Sequence, residues 1–256
     1  MYDAIFLDCD GVVTDKRARV DEKVIFEVYR LTHAGKRIAF VTGRPLAWLS
    51  RNIIPVLERF HPSPAEKARL FFVGECGNRW LFFSGNSFLH GADDTNSVPE
   101  AIRARIRRES ARFPLLSFDE TKESFVSLEI RHGAIVSPDV EREANQQLDD
   151  ACEYFSVRYP GLSVMRTLYA VDVLPRGIGK ASGARRALEL MGSVREALVI
   201  GDSAADIQMG EELARRGIRF RFYYVGEQQT PPVAFEVRKP SRCYAEGTLE
   251  VLSEVR

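Results

Sequence analysis

The chain is poor in the residues that build metal or disulfide clusters. Its 256 residues include only four cysteines and four histidines. Cys9, Cys76, Cys152 and Cys243 lie far apart, with no C-x-x-C pair and no cysteine–histidine cluster. That excludes the usual zinc spacing and a dense disulfide framework, and scattered thiols suit a reducing compartment. His33, His61, His90 and His132 show no ligand spacing and are assigned no role. Net charge is absent too: 36 Lys+Arg against 36 Asp+Glu give +0, so no overall field favours nucleic acid or an anionic membrane. No apolar run approaches the roughly 20 residues of a membrane span. The N-terminal segment carries acids early, at Asp3 and Asp8, unlike a secretory leader. No internal repeat or low-complexity tract is present. The expectation is a soluble cytoplasmic protein, monomer or homodimer, without nucleic-acid or membrane partners.

What is present is an ordinary globular balance, 45% hydrophobic and 28% charged, long enough for one large domain or two modest ones. Ala4–Leu7, Ile38–Val41, Leu70–Val73 and Ala197–Ile200 are short runs that are apolar throughout, as expected of parallel strands covered on both faces. Helical spacing links Val24, Val28 and Leu31 before Gly35, Ala181 to Met191 before Gly192, and Ile207 to Ala214 before Gly217. Strands alternating with helices predict a doubly wound, mostly parallel Rossmann-like α/β core.

The middle of the chain reads differently. Phe125–Arg131 alternates apolar and polar positions, the pattern of a half-exposed antiparallel strand. Leu162, Val164 and Tyr169–Leu174 suggest two more. A stripe through Val140, Ala144, Leu148, Cys152 and Phe155 follows the start signals Ser137 and Pro138, and a further helix is expected over Pro99–Phe113. The prediction is an α+β domain at residues 85–171, inserted into a core formed by residues 1–84 and 172–256.

Four local patterns carry chemistry. Asp8-Cys9-Asp10-Gly11 follows the first apolar run. Two carboxylates two residues apart point the same way in an extended strand, and ligands of open parallel sheets bind beyond the strands' carboxyl ends. An acidic loop capping a helix fits the same letters. Val41-Thr42-Gly43-Arg44 follows the second run; its hydroxyl and amides suit a phosphate oxygen, or Thr42 caps the next helix. Lys180 opens a helix, where a cation is unfavourable without an anion to neutralise, or is simply solvated. Gly201-Asp202-Ser203-Ala204-Ala205-Asp206 follows the Ala197–Ile200 run; its acids suit a hard divalent cation, or a helix cap. Coincidence is a poor account of all four in this order and context.

With these four motifs in order, the chain resembles the haloacid dehalogenase superfamily of phosphohydrolases. The resemblance implies that Asp8 is the nucleophile that forms an aspartyl-phosphate. It makes Asp10 the general acid/base, and Thr42, Gly43 and Lys180 the phosphate-binding positions. It implies a Mg2+ site on Asp8, the Asp10 carbonyl, Asp202 and Asp206. The asparagine often found just before the last acid is here Ala205. The inserted segment looks like a C2-type cap, with Gly74-Glu75-Cys76-Gly77-Asn78 at the turn that often precedes one. Capped members of this kind include the trehalose-, sucrose- and mannosylglycerate-phosphate phosphatases and the phosphoglycolate phosphatases. The implied partner is a small phosphate ester, sugar-like, chosen by the cap. Arg44, Glu129, Arg131, Arg166 and Tyr169 are the candidate substrate contacts, each with a structural role as its alternative. The arginines at 103, 105, 107, 108 and 112 read as a solvated helix face. Trp48 and Trp80 read as packing residues. A phosphomutase sharing the phosphoenzyme, and a binding protein that retains the fold, are the rival readings.

Overall fold

Every residue other than Met1, Lys16, Arg17, Asn86, Leu168 and Pro231 is described by the computed structural model. In chain order the elements are β1 (Ala4–Leu7), α1 (Glu22–His33), β2 (Arg37–Val41), α2 (Leu46–Asn52), α3 (Ile54–Glu58), α4 (Pro64–Lys67), β3 (Leu70–Gly74), β4 (Arg79–Ser84) and β5 (Ser87–Ala92). Then come α5 (Glu100–Glu109), β6 (Leu116–Phe118), β7 (Val126–Ile130), α6 (Pro138–Arg158), β8 (Leu162–Arg166) and β9 (Ala170–Pro175). The chain closes with α7 (Lys180–Met191), β10 (Glu196–Gly201), α8 (Ile207–Arg215), β11 (Arg219–Tyr224), β12 (Val237–Arg238) and α9 (Tyr244–Ser253). Two compact units result: Met1–Ala92 with Gly179–Arg256, and Asp93–Ile178.

In the first unit the described strands form one sheet in the order β12-β11-β10-β1-β2-β3-β4-β5. β1 sits mid-sheet, parallel to β10 and β2, so both its faces need apolar cover. Ile5 and Leu7 enter the layer under α1 and α9 with Val24, Val28 and Leu252. Ala4 and Phe6 enter the opposite layer with Ala184, Leu188 and Leu213 of α7 and α8. This split is the period-2 alternation of a strand, and it explains why the run is apolar throughout. Phe6, Phe40 and Phe72 are fully buried, each contributing about 2–3 kcal/mol of apolar transfer. α1 starts at Asp21, whose carboxylate accepts from the Lys23 amide. Three arginines hold helix C-termini: Arg30 donates to Leu252 and Val255, Arg37 to Met191 and Ser193, and Arg69 to Thr32. Each places a cation where orphan carbonyls and the dipole favour one.

The boundaries differ from the expected residues 85–171. β5 pairs antiparallel with β4, extending the large sheet to Ala92. Residues 172–178 belong to the second unit, because β9 pairs with β7 and β8 through Pro175. In that unit the strands run β6-β7-β9-β8, all antiparallel. Val126, Leu128, Val171 and Val173 pack with Ile106, Leu148 and Phe155 of α5 and α6. α6 begins where the sequence places it, with Ser137 accepting from the Val140 amide and Pro138 in the first turn. Its fully buried stripe runs through Ala144, Leu148, Ala151 and Phe155. Several α5 arginines are engaged locally: Arg103 donates to the Phe125 and Lys122 carbonyls, and Arg107 pairs with Glu120. Among the described residues no helix is long and apolar enough to cross a membrane.

Candidate active site

The carboxyl ends of β1, β2 and β10 bring three of the four sequence motifs together, and the start of α7 adds the fourth. Asp8 directly follows β1, its amide donating to the Ile200 carbonyl at 3.2 Å. Thr42 directly follows β2, its amide donating to Val73. Asp202 directly follows β10, and Lys180 is the first residue of α7. Gly11 turns the chain at φ +70. A Cβ on it would stand 2.1 Å from Asp202 Oδ2, so both conformation and space call for glycine.

Lys180 is the electrostatic centre. Its Nζ lies 2.5 Å from Asp8 Oδ1 and 2.6 Å from Asp206 Oδ1, and donates to the Val41 carbonyl at 3.2 Å. Burial works against its charge, but Asp206 and Asp8 outweigh burial and hold its pKa above the ordinary lysine value. The other Asp206 oxygen accepts from the Asp202 amide (3.1 Å), the Ser203 amide (3.0 Å) and the Ser203 hydroxyl (2.7 Å). Asp206 is fully buried, and every one of these bonds orients Lys180 or fixes the turn that carries Asp202.

Carboxylate oxygens of Asp8, Asp202 and Asp206 all lie within 4.8 Å of one another. Three carboxylates face one ammonium, which leaves negative charge uncompensated. Burial, then the Asp206 charge, pushes the Asp8 carboxyl up to about 7 against the pull of Lys180. Burial, then Asp8 and Asp206, pushes Asp202 up to about 8. Clustered hard oxygen donors with surplus charge fit magnesium. Cys9, between the two acids, is buried and its thiol is raised well above its ordinary value by that burial and by Asp8 and Asp10. It stays a neutral thiol rather than a nucleophile.

Asp10 is more open, its side chain 45% exposed, and both its oxygens are held by Arg44: Nε to Oδ2 at 2.9 Å and Nη2 to Oδ1 at 2.8 Å. Arg44 lies over the Trp48 ring, 5.3 Å from its centroid. The ion pair places the Arg44 guanidinium beside Asp10. Thr42 Oγ1 accepts from the Arg44 amide two residues on; α2 starts later, after Pro45.

The Gly74–Asn78 turn noted in the sequence has a further part that its letters do not report. Glu75, Cys76 and Gly77 adopt φ of +46, +57 and +103 in succession. The Cys76 amide donates to the Thr42 carbonyl and the Glu75 amide to the Arg44 carbonyl, both at 3.0 Å. The Ser182 hydroxyl reaches the Cys76 carbonyl at 2.7 Å. This strained turn therefore joins the Thr42–Arg44 segment to the first turn of α7, the kind of site at which strain is held.

The remaining candidates lie in the second unit. Glu129 is half-buried on β7 and Arg131 is exposed just beyond it. Arg166, at the end of β8, pairs with Asp149 at 3.0 Å and donates to Asn145 at 2.7 Å; these bonds tie β8 to α6. Tyr169 is 62% exposed.

No family model and no curated protein matches the chain. Solved structures do. The trehalose-6-phosphate phosphatase C-terminal domain of C. albicans matches with a TM-score of 0.72 at 15% identity, over 98% of this chain and 90% of that one. A haloacid dehalogenase-like hydrolase from Bacteroides thetaiotaomicron matches at 0.68 and 19% identity, over 100% of both chains. Sucrose-phosphatase from Synechocystis, solved with sucrose and phosphate, matches at 0.57 and 16% identity, over 99% of this chain and 98% of that one. The chain has the fold of the haloacid dehalogenase-like hydrolases, a mostly parallel α/β core with a separate antiparallel α+β unit.

Proposed function

We propose that the protein is a magnesium-dependent phosphatase of small phosphorylated metabolites, with sugar phosphates as the substrate class. The observation that carries this reading is Lys180, buried and bonded to Asp8 and Asp206 beside Asp202. A carboxylate aimed at a phosphate dianion meets repulsion unless cations flank it, and this site supplies one cation and the donors for a second.

Asp8, Asp202 and the Asp10 carbonyl would hold the ion, with Asp206 beside them. Bound magnesium adds positive charge to the phosphoryl oxygens and to Asp8. Lys180 and the Thr42–Gly43 segment bind and orient the phosphate. Asp8 attacks phosphorus; the P–O bond to the leaving group breaks as the aspartyl-phosphate forms. Asp10 gives its proton to the departing oxygen, then takes one from the water that attacks the phosphoryl group, regenerating Asp8. Arg44 donates one hydrogen bond to each Asp10 oxygen, which fixes the carboxyl's orientation and leaves each oxygen a second lone pair for the proton. The solved trehalose- and sucrose-phosphate phosphatases of the same fold support the sugar-phosphate class.

The test is inorganic phosphate release from an aryl phosphate and a sugar-phosphate panel in magnesium. Release abolished by EDTA and by Asp8→Asn is the expected result. Isomerised sugar phosphate without phosphate release would make the protein a phosphomutase; no reaction across the panel would favour a binding protein.

A further inference from the structure

One tyrosine beside the acid cluster sits in a conformation that tyrosine rarely adopts. Tyr244 opens α9 with φ +57, in the left-handed region where bulky side chains are outliers. Its amide is anchored to the Val225 carbonyl at 2.7 Å. The ring lies against the catalytic loop: a Cβ on Gly11 would stand 3.1 Å from Tyr244 Cδ1 and 2.1 Å from Asp202 Oδ2. Ring and carboxylate thus crowd the same side of the residue that follows Asp10. The phenol lies 3.4 Å from Glu227 Oε2. Glu227 is exposed and follows Gly226, whose own Cβ would stand 2.0 Å from the Asp202 carbonyl oxygen. Both side chains therefore belong to the segments packed on Asp202, beyond the carboxyl end of β11, and neither has a part in the hydrolytic steps above.

Strain of this kind is held where another interaction gains from it. The gain we see is a half-buried phenol ring and an exposed carboxylate side by side, the ring against the loop that carries Asp10. An aromatic face takes the C–H surface of a sugar ring, and an ionised carboxylate, an acceptor only, takes its hydroxyl protons. We propose that Tyr244 and Glu227 form a recognition pair for a polyhydroxylated, uncharged leaving group, so that part of the substrate choice is made on the catalytic unit itself. The inference rests on the phosphatase reading. The carboxylate also disfavours a second anionic group at that position, so sugar monophosphates are selected over bisphosphates and nucleotides.

Binding separates this claim from catalysis. The full-length Asp8→Asn chain, in magnesium, is titrated calorimetrically with inorganic phosphate and with glucose 6-phosphate, trehalose 6-phosphate and sucrose 6-phosphate. Glu227→Ala or Tyr244→Asn is then added to it; asparagine tolerates the left-handed backbone and removes the ring. The expected result is a Kd for the preferred sugar phosphate raised roughly tenfold, the loss of one charge-assisted hydrogen bond or stacking contact, with the Kd for inorganic phosphate changed less than about twofold. Equal weakening of both ligands, no change in either, or no sugar phosphate binding tighter than inorganic phosphate each overturns the pair. Failure of the unsubstituted chain to release phosphate would instead refute the phosphatase reading and leave the binding ratio readable.

Discussion

Arg44 holds both carboxylate oxygens of Asp10, at 2.8 and 2.9 Å, while itself lying over Trp48. A guanidinium matches a carboxylate as a two-pronged fork, and a lysine does not. Arg44→Lys keeps the charge and loses the fork. Because the pair is part-exposed, 29% and 45%, it contributes under about 1 kcal/mol to stability. The expected outcome is a kcat lowered roughly tenfold, from a misplaced Asp10, with Tm within a few degrees of the parent. Steady-state kinetics and a thermal melt check it. A large fall in Tm with unchanged kcat would show a purely structural pair.

Lys180 has a different standing, because it is buried. Lys180→Met fills similar space but leaves Asp8 and Asp206 buried without their cation. Breaking a buried pair this way costs about 3–5 kcal/mol. The cost is expected in full at mildly alkaline pH and is smaller in acid, where Asp8, already pushed up to about 7, takes a proton. Urea unfolding of both proteins at two pH values in EDTA measures the difference, and phosphate release is expected to be lost.

These contrasts show what a sequence discloses. β1 and β10 were legible because burial on both faces demands unbroken apolar runs, and Asp8 and Asp202 because each follows such a run. The β4–β5 hairpin is not part of the expected core, which stops at residue 84; β5 pairs with β4 in the large sheet, and its six residues, half of them polar or glycine, lack the unbroken apolar run of a central strand. The bond from Ser182 to Cys76 spans 106 positions, and no local pattern reports it. The positive φ of Cys76 and Tyr244 was equally hidden, since local propensity opposes both. Arg166 shows how much a letter leaves open: a charged residue at a strand end reads as a substrate contact or as a structural group, and only the fold supplies its bonds to Asp149 and Asn145.

The raised acids make magnesium binding visible in stability. Asp8 and Asp202 are pushed up to about 7 and about 8 from an ordinary 3.8, chiefly by burial. Between those values the folded chain keeps protons that the unfolded chain has released. Without a cation, these acids therefore make the fold less stable as pH rises through that window. A divalent cation competes with those protons for the same oxygens. The gain in Tm on adding magnesium should be larger near about pH 8 than near about pH 5.5. Differential scanning fluorimetry at the two pH values checks this, and a gain that shrinks as pH rises would contradict it.

Glu212 has the opposite sign and lies on α8, outside the cluster of Asp8, Asp202 and Asp206. It is 3% exposed. Burial alone would raise its carboxyl, but hydrogen bonds from Arg215, Arg216 and Arg185 outweigh that and bring it down to about 2 from an ordinary 4.5. Arg185 lies on α7, so the carboxylate fastens α8 to the helix that carries Lys180. A depressed acid stabilises fully above its unfolded value, and the contribution is lost as pH falls from about 4.5 towards about 2. The arginines are part-exposed, and solvent screening leaves about 2 kcal/mol at neutral pH. Glu212→Gln is therefore expected to lower Tm by about 4–8 °C at neutral pH for a chain of this size. The deficit should narrow steadily below about pH 4.5 as the parent loses the same contribution. Turnover per folded molecule at room temperature should be unchanged, since the carboxylate secures the helix without reaching the acid cluster. A variant as stable as the parent at neutral pH, or one whose deficit widens in acid, would show that the arginines do not hold this carboxylate ionised.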